Sequence, residues 1–174
     1  MRSVVVALAV IASAAVAAVG VQAAVPAYVI QGDRVVGGLV VARATAADAR
    51  GRFGAPTATR SRGVSCTITW RGLGLTLGLL DFGGRGCVRG VVVTATVTNR
   101  PSWRTAVGLR VGDSVARLER LYPRASVHAA APAGYWLVTR RRCAEAGGGA
   151  FPGLLARMRA RRVAVLVMTA GVCE

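Results

Sequence analysis

Ser114 is the residue of this sequence that comes nearest to a catalytic nucleophile. It lies in the stretch Gly112-Asp113-Ser114-Val115. A serine hydroxyl attacks a substrate when a general base, normally a histidine oriented by a carboxylate, accepts its proton. The only histidine of the chain, His128, follows fourteen residues later in Ser126-Val127-His128, a stretch that contains no acid. The residue types needed for acyl transfer are therefore incomplete around Ser114.

The stretch resembles the nucleophile turn of GDS-type lipases and esterases, in which a serine lies between a strand and a helix. Those hydrolases place their base in an Asp-x-x-His stretch near the C-terminus, and their serine follows a strand near the start of a parallel sheet. Here Ser114 lies two-thirds along a chain whose strands alternate like antiparallel ones. The structural alternative is that Asp113 or Ser114 caps a helix. We therefore predict that the chain is not an enzyme.

Other residues offer little further chemistry. Only seven acids occur in the chain, and Asp48 and Asp113 are explained by helix starts, which argues against paired-carboxylate catalysis. The loop Gly83-Gly84-Arg85-Gly86 could hold a phosphate, but it lacks the Lys-Ser/Thr of a P-loop and is more typical of a turn. We predict no cofactor and no metal site.

The four cysteines, at positions 66, 87, 143 and 173, predict disulfides. No CxxC spacing occurs and there is one histidine, so a zinc site is disfavoured. Three pairings can be drawn. We favour Cys66–Cys87 with Cys143–Cys173, because each bridge then lies within one half of the chain.

The N-terminal segment, residues 1–23, has the pattern of a signal peptide: a basic start, an apolar middle and small residues before Ala24. The chain is therefore predicted to be secreted. The alternative is an uncleaved membrane anchor, because residues 3–32 carry no charge.

The first half, residues 24–98, predicts a helix followed by strands. A strand is expected around the Gly32-Asp33 turn. Thr45 and Asp48 favour the start of a helix over 46–53, which Gly54-Ala55-Pro56 ends. Period-two alternation predicts a hairpin over 64–79 and a long strand over 88–98.

The second half, residues 108–174, follows a connector over 99–107 and repeats this order. A helix begins at Asp113 or Ser114 with Val115, Leu118 and Tyr122 on its apolar side. Strands are expected over 125–129, 135–141 and 163–169. Pro152 suits the first turn of a short helix that would carry Leu154, Leu155 and Met158.

The fold class is therefore α+β: two similar repeats, each a helix packed on an antiparallel sheet, with one disulfide per repeat. The capped helices after Gly38-Leu39 and Gly108-Leu109, and the strands that follow them, resemble the β-lactamase inhibitor protein fold and its single-repeat relatives, the SmpA/OmlA envelope proteins. The resemblance is topological, and it implies a protein whose loops and concave sheet face dock on an enzyme. It assigns no individual residue of this chain.

The net charge of +16 arises from 23 basic residues, all of them arginine. Such a charge attracts polyanions and anionic surfaces in a salt-dependent way. The densest clusters lie in the second half and could together form a basic patch; the alternative is a solvated strand edge. These residues are Arg140, Arg141, Arg142, Arg157, Arg159, Arg161 and Arg162.

Trp103 is a candidate interface residue because packing does not explain an aromatic side chain in the connector, whereas Trp70 and Trp136 fit the core. The predicted function is a secreted, non-catalytic module that binds an extracellular protein at or outside the cell envelope. The alternative is a basic module that binds an anionic wall polymer, lipid or nucleic acid through the arginine clusters.

Overall fold

The computed structural model describes residues 28–98, 103–128, 135–142 and 150–170, and it shows a mixed α+β protein in which antiparallel strands predominate. The predicted signal peptide, Cys143 and Cys173 lie outside these residues. None of the helices in this part of the chain is both long and apolar enough to cross a membrane.

The first half begins with a hairpin and a helix. Its elements are β1 (Val29–Gln31), β2 (Val35–Val36), β3 (Leu39–Val40) and α1 (Ala46–Phe53). A capping box fixes the start of α1, because the Thr45 hydroxyl accepts the Asp48 amide while the Asp48 carboxylate accepts the Thr45 amide. Gly54 ends the helix with a positive φ of 77°. The predicted bounds of this helix are confirmed.

Strands and a short helix complete the first half. They are β4 (Ala58–Arg62), β5 (Ser65–Trp70), β6 (Leu75–Leu80), α2 (Gly86–Arg89) and β7 (Val91–Val97), with a turn of 3-10 helix at Arg71–Leu73. The predicted strand over 88–98 is therefore too long at its start. Residues 86–89 are helical instead, and this short helix holds Cys87, which is bonded to Cys66.

The described residues of the second half form one helix and four longer strands. After the short strand β8 (Arg104–Thr105) come α3 (Val115–Leu121), β9 (Ser126–His128), β10 (Tyr135–Arg142), β11 (Ala150–Arg159) and β12 (Arg162–Thr169). The predicted helix after Pro152 is wrong. Residues 150–159 pair with β10 on one side and β12 on the other, and Pro152 is accommodated near the strand start. Leu154 and Ala156 alternate into the core as strand residues do.

Eight strands form one antiparallel sheet in the order β4-β5-β6-β7-β12-β11-β10-β9. The two four-stranded meanders meet where β7 pairs with β12, with Leu166 opposite Val97 and Met168 opposite Ala95. A smaller sheet has the order β3-β2-β1-β8, in which β1 and β8 are parallel.

The hydrophobic core lies on one face of the eight-stranded sheet, beneath the small sheet and the helices. Ile30 and Val36 from the small sheet, Ala49 from α1 and Leu118 from α3 share one buried cluster with the inward-facing residues of the large sheet. These inward-facing residues include Ile68, Trp70, Leu75, Leu77, Ala95, Val97, Leu154, Ala156, Leu166 and Met168. The helices and the small sheet therefore cover one face of the large sheet.

A disulfide joins Cys66 on β5 to Cys87 on α2, with an S–S distance of 2.03 Å. This half of the predicted pairing is confirmed. The bridge ties α2 to the covered side of the sheet, because Cys66 belongs to the buried cluster.

Candidate binding surface

Ser114 is the N-cap of α3. Its hydroxyl accepts the Arg117 amide at 3.3 Å, and its backbone is extended, as an N-cap requires. The preceding carboxylate, Asp113, accepts the Arg110 amide at 2.8 Å and the Arg117 Nε at 3.1 Å. The helix-cap interpretation of the Gly112-Asp113-Ser114 stretch is confirmed.

His128 lies at the end of β9, where it pairs with Tyr135 of β10. Its side chain lies outside the described part of the structure. In the described part of the chain, no three His, Cys, Asp or Glu side chains lie close enough together to hold a metal ion.

The glycine-rich loop before α2 is occupied by its own carboxylate. Asp81 accepts the Gly83 amide at 2.9 Å and the Arg85 amide at 3.1 Å. Backbone amides that would cradle a phosphate are thus already engaged within the loop. The turn interpretation of this stretch agrees with these contacts.

A row of eight cross-strand neighbours runs across the second face of the large sheet, one residue from each strand. In spatial order the row is Ala58, Thr69, Thr76, Thr96, Val167, Leu155, Leu137 and Ser126. None of these residues belongs to the buried cluster on the covered side. All but Leu137 are partly exposed. We call this side of the sheet the open face.

Hydroxyl groups dominate the half of the open face that comes from β5, β6 and β7. A second row places Thr67, Gly78, Thr94 and Thr169 side by side, with Arg60 at its edge. A Cβ at position 78 would collide with the Thr94 hydroxyl, so a larger residue there would force the Thr94 side chain to move. Within the first row the Thr69 and Thr76 hydroxyls lie 3.4 Å apart. The result is a flat polar surface.

Aliphatic side chains dominate the other half. Val167, Leu155 and Leu137 are consecutive cross-strand neighbours on β12, β11 and β10. Leu137 is only 8% exposed although it is absent from the buried cluster of the covered side. These three residues thus form an apolar strip beside the threonines, bordered by exposed Arg157.

The eight strands of the large sheet contain no aspartate or glutamate. They contain eight arginines: Arg60, Arg62, Arg140, Arg141, Arg142, Arg157, Arg159 and Arg162. The five acids in the described residues lie in loops, turns and helices instead. The charged residues that the strands themselves contribute to this sheet are therefore all positive.

The structure separates the two arginine clusters that the sequence analysis combined into one patch. Arg140, Arg141 and Arg142 pair with the start of β11, whereas Arg159 and Arg162 face each other at its far end. At about 3.3 Å per residue these places are roughly 25 Å apart. Arg157, Arg159, Arg161 and Arg162 are exposed and lie together around the β11–β12 turn. Because β10 and β11 run antiparallel, the backbone places the two arginine clusters at opposite ends of β11.

Trp103 is fully buried, at 0% exposure, and is not an interface residue. Its Nε1 donates to the Leu73 carbonyl at 2.7 Å, and its ring meets Tyr28 edge-on at 5.5 Å. Trp103 itself packs on the covered side of the sheet, a role that the sequence did not reveal. Trp70 is buried and Trp136 packs against the core, as predicted.

Sequence reasoning missed the open face as a surface. The alternation of threonines at 67 and 69, and at 94 and 96, predicted strands, but their alignment across four strands depends on register. The chain matches no protein-family model, and comparisons with curated proteins and with solved structures found no match.

Proposed function

We propose that this chain is a secreted, non-catalytic module. It uses the open face of its large sheet to bind an extracellular protein whose surface is acidic. The observation that carries the proposal is the eight-residue row from Ala58 to Ser126, which crosses a sheet without a single acidic residue. In the fold family that the sequence resembles, a sheet face docks on an enzyme, and this supports the same use here.

The size of the open face suits a protein partner. Eight strands about 4.8 Å apart span roughly 34 Å, and strands of about six residues are roughly 20 Å long. The product, roughly 700 Å², is close to the ~800 Å² that each partner contributes to a standard interface. Threonines and short aliphatic side chains also lose little conformational entropy when a partner covers them.

Charge complementarity selects an acidic partner. Arg60 and Arg157 border the two halves of the row, and both are exposed. A partner whose carboxylates meet these arginines associates faster and in a defined orientation. Burial of the apolar strip around Leu155 then stabilises the complex.

Export is the second part of the proposal. The Cys66–Cys87 disulfide favours an oxidising compartment, where such bonds persist. The signal-peptide pattern of residues 1–23 points the same way. A disulfide between Cys143 and Cys173 is expected to complete the pairing.

We also propose that the two halves are copies of one structural unit. Each contains a helix followed by a four-stranded meander, and their contacts correspond. The amide that starts α1, Ala46, donates to the Gly90 carbonyl before β7; the amide that starts α3, Val115, donates to the Arg161 carbonyl before β12. Gly38 and Gly108, which precede the corresponding leucines, share a φ of 92°.

The decisive experiment is affinity capture from culture medium at two salt concentrations, followed by mass spectrometry and a binding titration with the purified partner. Thr96→Glu places a bulky negative charge in the middle of the open face, between Thr76 and Val167. Thr59→Glu is the matched control, because Thr59 is exposed on an edge strand and pairs with core-facing Ile68. Thermal unfolding checks that both variants fold.

We expect one saturable partner that binds the wild type and Thr59→Glu with similar affinity. Its affinity for Thr96→Glu should be at least tenfold lower. Higher salt should weaken the complex without abolishing it. The proposal fails if no saturable partner exists, or if Thr96→Glu binds as well as Thr59→Glu.

The second candidate function, binding of an anionic polymer, is supported by the exposed cluster at the β11–β12 turn. Arg159 and Arg162 are cross-strand neighbours, and Arg161 lies in the turn between them. Adjacent guanidinium groups can neutralise successive phosphates or sulfates.

Elution from a sulfated resin tests this candidate. Replacing Arg159, Arg161 and Arg162 by glutamine should lower the eluting salt concentration well beyond the effect of three glutamines at Arg43, Arg71 and Arg120. Equal shifts for the two triple variants would show that only net charge matters and would remove this candidate.

A further inference from the structure

A cleft of about 500 Å³ lies at the edge of the small sheet, between β1, the loop after β8 and α3. Three arginines line it: Arg104 from β8, Arg110 from the following loop and Arg117 from α3. It is distinct from the open face, because none of its lining residues belongs to the large sheet. The volume falls in the range of small-molecule sites.

Arg104 and Arg110 oppose each other across an antiparallel bridge. Side chains of like charge in such a pair lie close together and repel. Among the described residues, neither guanidinium makes a hydrogen bond or an ion pair, and the Asp113 carboxylate is paired with Arg117. The fold thus holds two cations without a counter-charge side by side along the cleft.

Arg117 is held in place by its own carboxylate partner. Its Nε donates to Asp113 at 3.1 Å, which leaves the two terminal nitrogens of the guanidinium for a ligand. One of these terminal nitrogens lies beside Gly108: a Cβ added to that glycine would be 4.0 Å from the nitrogen. The same Asp113 carboxylate accepts the Arg110 amide at 2.8 Å and so fixes the backbone from which Arg110 projects. Asp113 is a positioning residue for both arginines.

The charge and lining of the cleft define the ligand class. Three guanidinium groups and one carboxylate leave a net charge of +2, which balances the charge of about −1.5 to −2 on a phosphomonoester near neutral pH. Guanidinium groups also donate in pairs to phosphate oxygens. Val29 and half-exposed Val107 supply apolar wall beside this charge.

We propose that this cleft binds the phosphomonoester group of a small organic phosphate or of a lipid headgroup, with Arg104, Arg110 and Arg117 as its ligands. The site does not depend on partner binding at the open face.

Calorimetric titration of the full-length protein with phenyl phosphate tests the proposal. We expect saturable binding of one molecule per chain, no binding of phenol, and a loss of about tenfold or more for Arg104→Gln and for Arg110→Gln. Arg120→Gln is the matched control: Arg120 is exposed on the same helix as Arg117 but does not line the cleft. It should change the affinity less than twofold.

A vesicle arm distinguishes the two sources of the phosphate. Vesicles of phosphatidylcholine with phosphatidic acid are compared with phosphatidylcholine alone. Binding of phenyl phosphate supports a soluble ligand; binding of phosphatidic acid vesicles alone, with the same dependence on Arg104 and Arg110, supports a headgroup. Absence of saturable binding to both probes, or an equal loss with Arg120→Gln, overturns the proposal.

Discussion

Ser114 forms an antiparallel bridge with Arg162, so the residue that caps α3 also joins that helix to the first residue of β12. Thr45, the cap of α1, stands in the same relation to Val91, the first residue of β7. In both halves the cap therefore fixes a helix start and docks it on the central strand pair of the large sheet. A stretch that first suggests a nucleophile thus serves to connect helix and sheet.

Replacing Ser114 by alanine is expected to lower the free energy of unfolding by about 1 kcal/mol, because the Arg117 amide loses its side-chain acceptor. Ser114→Asp should retain most of the stability, since aspartate is an equally good N-cap. Urea unfolding measures both. If Ser114→Ala keeps full stability while an esterase activity of the wild type disappears, the catalytic interpretation returns.

Removal of the Cys66–Cys87 bridge by a double substitution to alanine is expected to cost about 3 kcal/mol, the chain-entropy value for a loop of this separation. Urea unfolding measures the loss. Non-reducing peptide mapping should recover a peptide pair joining Cys66 to Cys87 and a second joining Cys143 to Cys173. A Cys66–Cys143 peptide would contradict the pairing and the two-unit proposal together.

Local signals were predictable from the sequence, and signals that depend on distant pairing were not. The bounds of α1 follow from Thr45, Asp48 and Gly54, which all act within one or two turns of the helix. Residues 150–159 contain a proline and closely spaced leucines that also fit a helix, and only pairing with both β10 and β12 makes them a strand.

The same distinction applies to the binding surfaces. The arginine runs were visible in the sequence, but the antiparallel register of β10 and β11 sends them to opposite ends of the sheet. The cleft could not be predicted, because Arg104, Arg110 and Arg117 come from three elements that meet only in the folded chain. The aligned threonines of the open face required the register of four strands.

Trp103→Phe is expected to destabilise the protein by about 2–3 kcal/mol, because the Leu73 carbonyl loses its indole donor at a buried position and a small cavity opens. Trp136→Phe, at a partly exposed position, should cost less. Urea unfolding of the two variants provides the comparison. An unchanged stability for Trp103→Phe, accompanied by weaker partner binding, would restore an interface role.

The free energy of unfolding is expected to fall at alkaline pH because Tyr122 ionises. Burial raises the pKa of its phenol above 10.0, and a hydrogen bond with the Thr105 side chain offsets part of that rise. In the unfolded chain the phenol ionises near its ordinary pKa of about 10. The stabilising contribution is therefore complete below pH 10 and is lost as the pH rises through the folded pKa. From pH 9 to 12, the free energy of unfolding should fall more steeply for the wild type than for Tyr122→Phe. Parallel curves for the two proteins would exclude Tyr122 as the cause of the fall.

The β11–β12 turn contains a conformational penalty that a single substitution can remove. Ala160 and Arg161 both have positive φ, 49° and 59°, in a two-residue connection where asparagine and glycine are preferred. A left-handed backbone costs a residue with a Cβ about 1–2 kcal/mol. Arg161→Gly should therefore raise the free energy of unfolding by about 0.5–1 kcal/mol, after the added flexibility of the unfolded chain is included.

Arg161→Gln removes the same charge but keeps the Cβ, so it should leave stability nearly unchanged. Equal stabilisation by both variants would attribute the effect to charge repulsion among Arg159, Arg161 and Arg162 instead of to the backbone.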